Sequence, residues 1–486
     1  MFMNRLISSS PAPCWSGLPR SVLAVALAAA LGACGGGDTD FAAEKSSADV
    51  AVGVETNTDS NASIDQSPDV EIDTDDTGDT GGSAIAVGAA VTMAATAAPP
   101  VAAAKALIAA PSNTACDTAT GNVLQVGPGQ KYTKPSAAAT AARAGDVVRI
   151  AAGDYRGDVA TWKANNLTIC GSGGRARLFA DGKSAGGKGI WVVTGSDITI
   201  DSMEFHQAKV ADKNGAGIRV EHKSGDLHII NSGFFDNENG ILTAKGPITL
   251  TIERSEFARN SAANTSGQTH NIYVGAIDQV SVSGSYFHES RYGHNFKSRA
   301  KVSLLENNYL MDGPAGMSSY LADFPNGGQV VLRGNLMQKG PKAPNKVAIE
   351  YGAEGQRWEQ NSLEMVHNTV VMTRPNSIFL RVMPWAQSVT LKANIWASMG
   401  NDLLVSGKEF ALSSMAQQSN VVLPASYFAN ASRIAAPNFW PNTAGLGLTI
   451  LPGVLDANYR YDTPAPGVLR ALSSAARRAG ALQSAP

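Results

Sequence analysis

Two short stretches of the chain concentrate groups able to move protons and hold anions. His270, Asn271, Ile272 and Tyr273 form the first; His294, Asn295, Phe296, Lys297, Ser298 and Arg299 form the second. His288, Glu289, Arg291 and Tyr292 lie between them. Each stretch sets an imidazole and an amide beside an apolar residue, then polar or cationic side chains at alternate positions. Such a set suits removal of a proton from the carbon next to a carboxylate, the first event in cleaving a uronic-acid polysaccharide by β-elimination. That proton is very weakly acidic until the carboxylate charge is neutralised. The reaction therefore needs a cation, a base, and an acid for the departing oxygen. Arg299 is the candidate for neutralisation. Lys297, Tyr273, His270 or His294 is the candidate base, its pKa lowered by neighbouring cations. Tyr273 or His294 is the candidate acid. A solvated sheet face carries the same residue types singly; their convergence is what points to a site.

The elements that would position these groups come from a repeat. A unit of alternating apolar residues, a small or amide residue and another apolar residue recurs, as in Leu250 to Phe257, Val280 to Phe287, Val302 to Leu310, Val330 to Met337, Leu363 to Val370 and Val389 to Trp396. The units follow one another at roughly two to three dozen residues, the spacing of a solenoid. Their period of two excludes helical repeats. Ser255, Ser285, Asn308, Asn335, Asn368 and Asn394 hold the same place in successive units. Amides stacked in register can bond along a column and satisfy turn backbone groups, the asparagine-ladder device of right-handed parallel β-helices. The fold expected is therefore all-β: a right-handed parallel β-helix.

A second strand follows each unit, and alternation assigns its faces. With Ile218, Val220, Ile272, Val274, Phe296, Ile349 and Leu380 turned inward, the outward column holds Arg219, Glu221, Tyr273, Lys297, Arg299, Asp323, Glu350 and Arg381. The expected substrate-binding set is Asn271, Asn295, Arg219, Arg291, Arg381, Asp323 and Glu350. A one-residue slip in register would exchange the two faces. Asp323 and Glu350, on adjacent rungs about 5 Å apart, leave three readings open. They could be the acid pair of a retaining glycosidase, oxygen ligands for calcium, or part of a structural ion pair with Arg299 or Arg381.

Three segments organise the chain. In residues 1–33 a positively flanked apolar run, Ser21 to Ala33, reads as a secretory signal. Leu31, Gly32, Ala33 and Cys34 resemble the bacterial lipobox, which implies lipidation at Cys34. Gly35, in place of aspartate, implies sorting to the outer membrane by the same analogy. Residues 34–113 have few large apolar side chains and read as a disordered tether, whose ends would sit on the order of 50 Å apart. Residues 114–486 form the folded domain. Its start, a short helix over Thr133 to Ala144 before a strand, resembles the capped beginning of many β-helix domains. The tail from Pro437, with Trp440, Tyr459, Tyr461 and Arg470, is expected to close the far end. Cys116 and Cys170 could pair in an exported protein or stay free and buried; neither has the neighbours that zinc requires.

The formal charge of −2 offers no basic field for nucleic acid. From Cys116 onward the architecture, with its Lys- and Arg-bearing sheet, resembles the β-helical polysaccharide lyases of the pectate-lyase-like superfamily. That resemblance implies an acidic polysaccharide as partner. The Asp-Pro-His signature of alginate epimerases and the Asn-Thr-Asp, Asp-Asp and Arg-Ile-Lys signatures of galacturonan hydrolases are missing. The expectation is a monomeric polysaccharide lyase anchored to the outer membrane, with calcium the one open cofactor. The alternatives are a noncatalytic glycan-binding or adhesion protein and a glycoside hydrolase working through Asp323 and Glu350.

Overall fold

The structure is a computed structural model that describes residues 109, 111–262, 269–405, 414–439, 459–462, 465–471 and 479–482. The signal segment, Cys34 and all but the last few tether residues lie outside the described residues. The domain is a right-handed parallel β-helix of about 11 turns. One face is a ten-stranded parallel sheet running from Ala160–Trp162 to Leu403–Val405. The other faces belong to a 21-stranded sheet, to which a typical turn gives two strands, such as Ile277–Ser283 and Tyr286–His288. Alternating apolar residues build this shape because every strand turns one face to a single dry interior. Ile218, Val220, Ile272, Val274, Phe296, Ile349 and Leu380 all lie in that core, as alternation requires. Phe205, Phe234, Phe257 and Phe287 stack along it with ring centroids 5.2, 4.6 and 4.6 Å apart.

The corner between the two strands of the larger sheet is held by the expected ladder. Asn308 Nδ2 donates to Asn335 Oδ1 at 3.1 Å, Asn335 to Asn368 at 3.0 Å, and Asn368 to Asn394 at 2.9 Å. The column extends beyond the expected members, to Ser232 at one end and Asn420 at the other. The residue before each ladder position takes a left-handed conformation, among them Arg254, Asn307, His367 and Ala393. Gly284 and Gly334 adopt it freely, while each non-glycine occupant costs about 1 kcal/mol, which the ladder bonds offset.

A second ladder lies at the corner leading into the ten-stranded sheet. Asn237 donates to Asn260 (2.9 Å), Asn260 to Asn271 (3.0 Å), Asn271 to Asn295 (2.8 Å) and Asn295 to Asp312 (3.1 Å). Asn271 and Asn295, expected to bind substrate, are members of this ladder. Both are fully buried, and both amides are used by the wall itself.

At the N-terminal end the helix spans Pro135–Ala141, with Pro135 at its start and Ala138 and Ala139 in the core. Cys116 and Cys170 form a disulfide with Cα atoms 6.0 Å apart. Closing that 54-residue separation stabilises the fold by about 4 kcal/mol on the chain-entropy account. At the other end, Phe428, Phe439 and Leu482 pack against Tyr286, Tyr309 and Val371 on the outer flank of the larger sheet. Tyr459–Asp462 pairs antiparallel with Ala465–Ala471, and Trp440 lies outside the described residues. Among the described residues no helix is long and apolar enough to cross a membrane.

Candidate functional site

Parallel pairing without a register slip sets the outward column. Arg219 pairs with Leu242, Leu242 with Tyr273, Tyr273 with Lys297, Lys297 with Asp323, Asp323 with Glu350 and Glu350 with Arg381. Side chains far apart in sequence thus become neighbours at about 4.8 Å per rung. The centre of the column is covered rather than solvated: the side chains of Lys297, Arg299 and Asp323 are 1 %, 5 % and 3 % exposed.

Both cations meet Glu354, a residue the sequence did not single out. Its Oε1 lies 3.1 Å from Lys297 Nζ, and its Oε2 pairs with Arg299 Nη2. One carboxylate therefore bridges two cations that alternation had already placed side by side. Arg299 is further held by Asn326, whose Oδ1 accepts from Nη1. Its Nε donates to the Tyr273 hydroxyl oxygen at 2.8 Å. Burial works against the Arg299 charge, but Tyr273 and Glu354 outweigh it, so the guanidinium holds its proton more tightly than usual. The result is a carboxylate seat between two cations, with a phenolic oxygen on the same arginine.

Behind the seat, Asp323 and Glu350 act as a unit. Burial opposes the Asp323 charge, yet Lys297 and His294 outweigh it and hold this carboxyl well below the usual range. Glu350 moves the other way: burial and then the Asp323 charge push its carboxyl well above the usual range. Two buried carboxylates on neighbouring rungs cannot both ionise cheaply, so Glu350 holds its proton to higher pH than Asp323 does. Glu350 Oε1 also accepts from the Ala353 backbone at 2.7 Å, tying the pair to the loop that carries Glu354. Asp323 Oδ2 faces His294 Nε2 at 3.1 Å and Lys297 Nζ at 3.5 Å. Among the described residues no group of three or more His, Cys, Asp or Glu is disposed to hold a metal ion.

The remaining expected residues divide. His270 and His294 stack 4.7 Å apart, and each Nδ1 accepts a backbone N–H from the next rung, His294 at 3.0 Å and Tyr320 at 3.3 Å. They are buried parts of the wall. Burial, then His294 and Lys297, hold His270 well below the usual histidine range and hence neutral. His294 Nε2 lies 3.1 Å from Asp323 and orients it. Arg381 stays in the column, donating to the Tyr320 hydroxyl at 2.9 Å. Arg219 is closed off by Glu221 at 2.6 Å. Arg291 belongs elsewhere, paired with Asp236 in a charged group that includes Arg259 and Glu289. His288 sits between Glu256 and Glu289 on the larger sheet. Asn326 and Tyr320 join Glu354 as site residues that were not singled out; Asn326 and Glu354 lie in loops outside the periodic strands.

The fold and this column define a parallel β-helix protein with a cationic carboxylate seat. No family model matches the chain, and no curated protein matches it in sequence. Among solved structures it is similar to a pectate lyase (Pel9A) at 14% identity, covering 76% of this chain and 98% of that chain with a TM-score of 0.49. An alginate lyase from Paenibacillus sp. str. FPU-7 gives 16% identity, 59% and 95% coverage and a TM-score of 0.42.

Proposed function

We propose that the protein is a polysaccharide lyase acting on an acidic, uronic-acid glycan, with Lys297 and Arg299 holding the uronate carboxylate and Tyr273 moving the proton. The observation that carries this reading is the carboxylate of Glu354 seated between the two cations beside the Tyr273 oxygen. It stands in for the carboxylate of a uronate. Neutralising that charge acidifies the adjacent C–H. The Tyr273 oxygen, held by Arg299 Nε, takes the proton as its own hydroxyl proton passes to the leaving oxygen. The C–H electron pair becomes the new C=C bond and the glycosidic C–O bond breaks. Tyr273→Phe is then expected to lower turnover about 10²- to 10⁴-fold while leaving glycan affinity within a few-fold. Turnover undiminished in that variant would remove Tyr273 from the mechanism.

The hydrolase reading has one observation in its favour, the raised proton affinity of Glu350, and predicts new reducing ends without unsaturated sugar. We further infer export and lipid anchoring at Cys34. The lipobox-like segment supports this, as does a disulfide, which belongs to oxidising compartments. Cys34→Ser should move the protein from the membrane to the soluble fraction; unchanged membrane association would contradict the anchor.

A further inference from the structure

We propose that Glu354 is a specificity-determining residue. Its carboxylate is a resident occupant that a substrate carboxylate must replace, so the site favours polymeric uronate over small single acids. The inference rests on the lyase reading for the identity of the ligand, and on geometry for the role of Glu354. The two cations of the seat are almost wholly buried, whereas the Glu354 side chain is 24% exposed; it is the removable part of the assembly. It hangs from an exposed loop bounded by Gly352 (φ 102°) and Gly355 (φ 91°). A Cβ at Gly355 would meet nothing within 4 Å, so the loop has room on its outer side. Its ties inward include the Gly352 amide on Phe324, the Ala353 amide on Glu350, the Glu354 amide on Pro325, the Arg357 amide on Asn326, and the Asn326 side-chain amide on the carbonyls of Glu354 and Gly355. Asn326 also holds Arg299, so lifting the loop and freeing the guanidinium are one movement.

Exchange of one carboxylate for another makes and breaks similar ion pairs, so a small acid gains little by entering. It also competes against a tethered group whose effective concentration is of millimolar order or above. A polymer differs because it brings further carboxylates and hydroxyls to the column at the same time. Arg381, partly exposed, lies three rungs from Lys297, about 14 Å at the usual strand spacing, within reach of the same glycan chain. The resident carboxylate thus raises the threshold for monomers and leaves multivalent substrate able to pass it.

The test uses the full chain, its E354Q and E354A variants, and Glu359→Gln as a control on the same exposed segment. Acetylation of Lys297 by acetic anhydride, read by mass spectrometry, reports opening of the seat without reference to any glycan. Calorimetry with galacturonate monomer and with polygalacturonate and alginate reports the exchange. Removing the Glu354 charge should raise Lys297 labelling and tighten monomer binding, each by about tenfold or more, with a smaller gain for polymer and no change in Glu359→Gln. Lys297 labelling unchanged in both Glu354 variants, or monomer affinity unchanged where polymer binds, would overturn the role of Glu354. Labelling that rises while no uronate probe binds any variant would support Glu354 as the occupant of the seat and sink the lyase reading instead.

Discussion

Glu350 and Asp323 carry opposite pH signatures because one proton serves two carboxyls. Asp323 is depressed in the fold, so its contribution to stability is present above the ordinary aspartate value and is lost as pH falls toward its depressed one. Glu350 is raised, so its contribution is fully present in acid and is lost as pH rises from the ordinary value near 4.5 toward its raised one. Glu350→Gln keeps an acceptor for the Ala353 amide but cannot ionise. The variant should therefore gain thermal stability over the wild type as pH rises, with the gain vanishing below the ordinary glutamate range. A difference in Tm independent of pH would contradict the shared proton. At this scale the sequence was informative where alternation decides: Tyr273, Lys297, Asp323, Glu350 and Arg381 all lie in the expected column. Glu354 was not legible, since it reaches Lys297 through a loop whose path no period encodes.

Each corner of the coil is an element in its own right, made from a left-handed residue and a buried amide. Asn308 accepts from the Ser285 amide at 2.9 Å and donates to the Val282 carbonyl and to Asn335 at 3.0 and 3.1 Å. Asn308→Ala should leave these groups without partners in a dry interior and cost on the order of 3 kcal/mol, read by urea unfolding. A loss under about 1 kcal/mol would mean that the ladder is ornamental to the fold. The first ladder was readable because its members fall at one fixed place in an evident unit. The second, through Asn237, Asn260, Asn271, Asn295 and Asp312, has uneven spacing. Its members beside His270 and His294 therefore looked like ligand-binding groups. The two imidazoles carry a structural duty that no spacing announces, because their Nδ1 atoms accept from the backbone of the next rung.

For the whole molecule, stacking turns a one-dimensional repeat into a continuous column, so chemistry written across more than a hundred residues meets on a few rungs. That much follows from period and strand spacing. Access to the column does not, because it depends on loops such as the one that carries Glu354. The seat formed by Lys297 and Arg299 is proposed to serve β-elimination. The most direct test is ultraviolet absorbance of the unsaturated uronate produced when the full chain meets a panel of uronic-acid polysaccharides, with and without calcium. The signal should rise on at least one acidic glycan and be abolished by Arg299→Ala. A flat signal across the panel, with glycan binding detected in parallel, would contradict it and leave a noncatalytic glycan-binding β-helix.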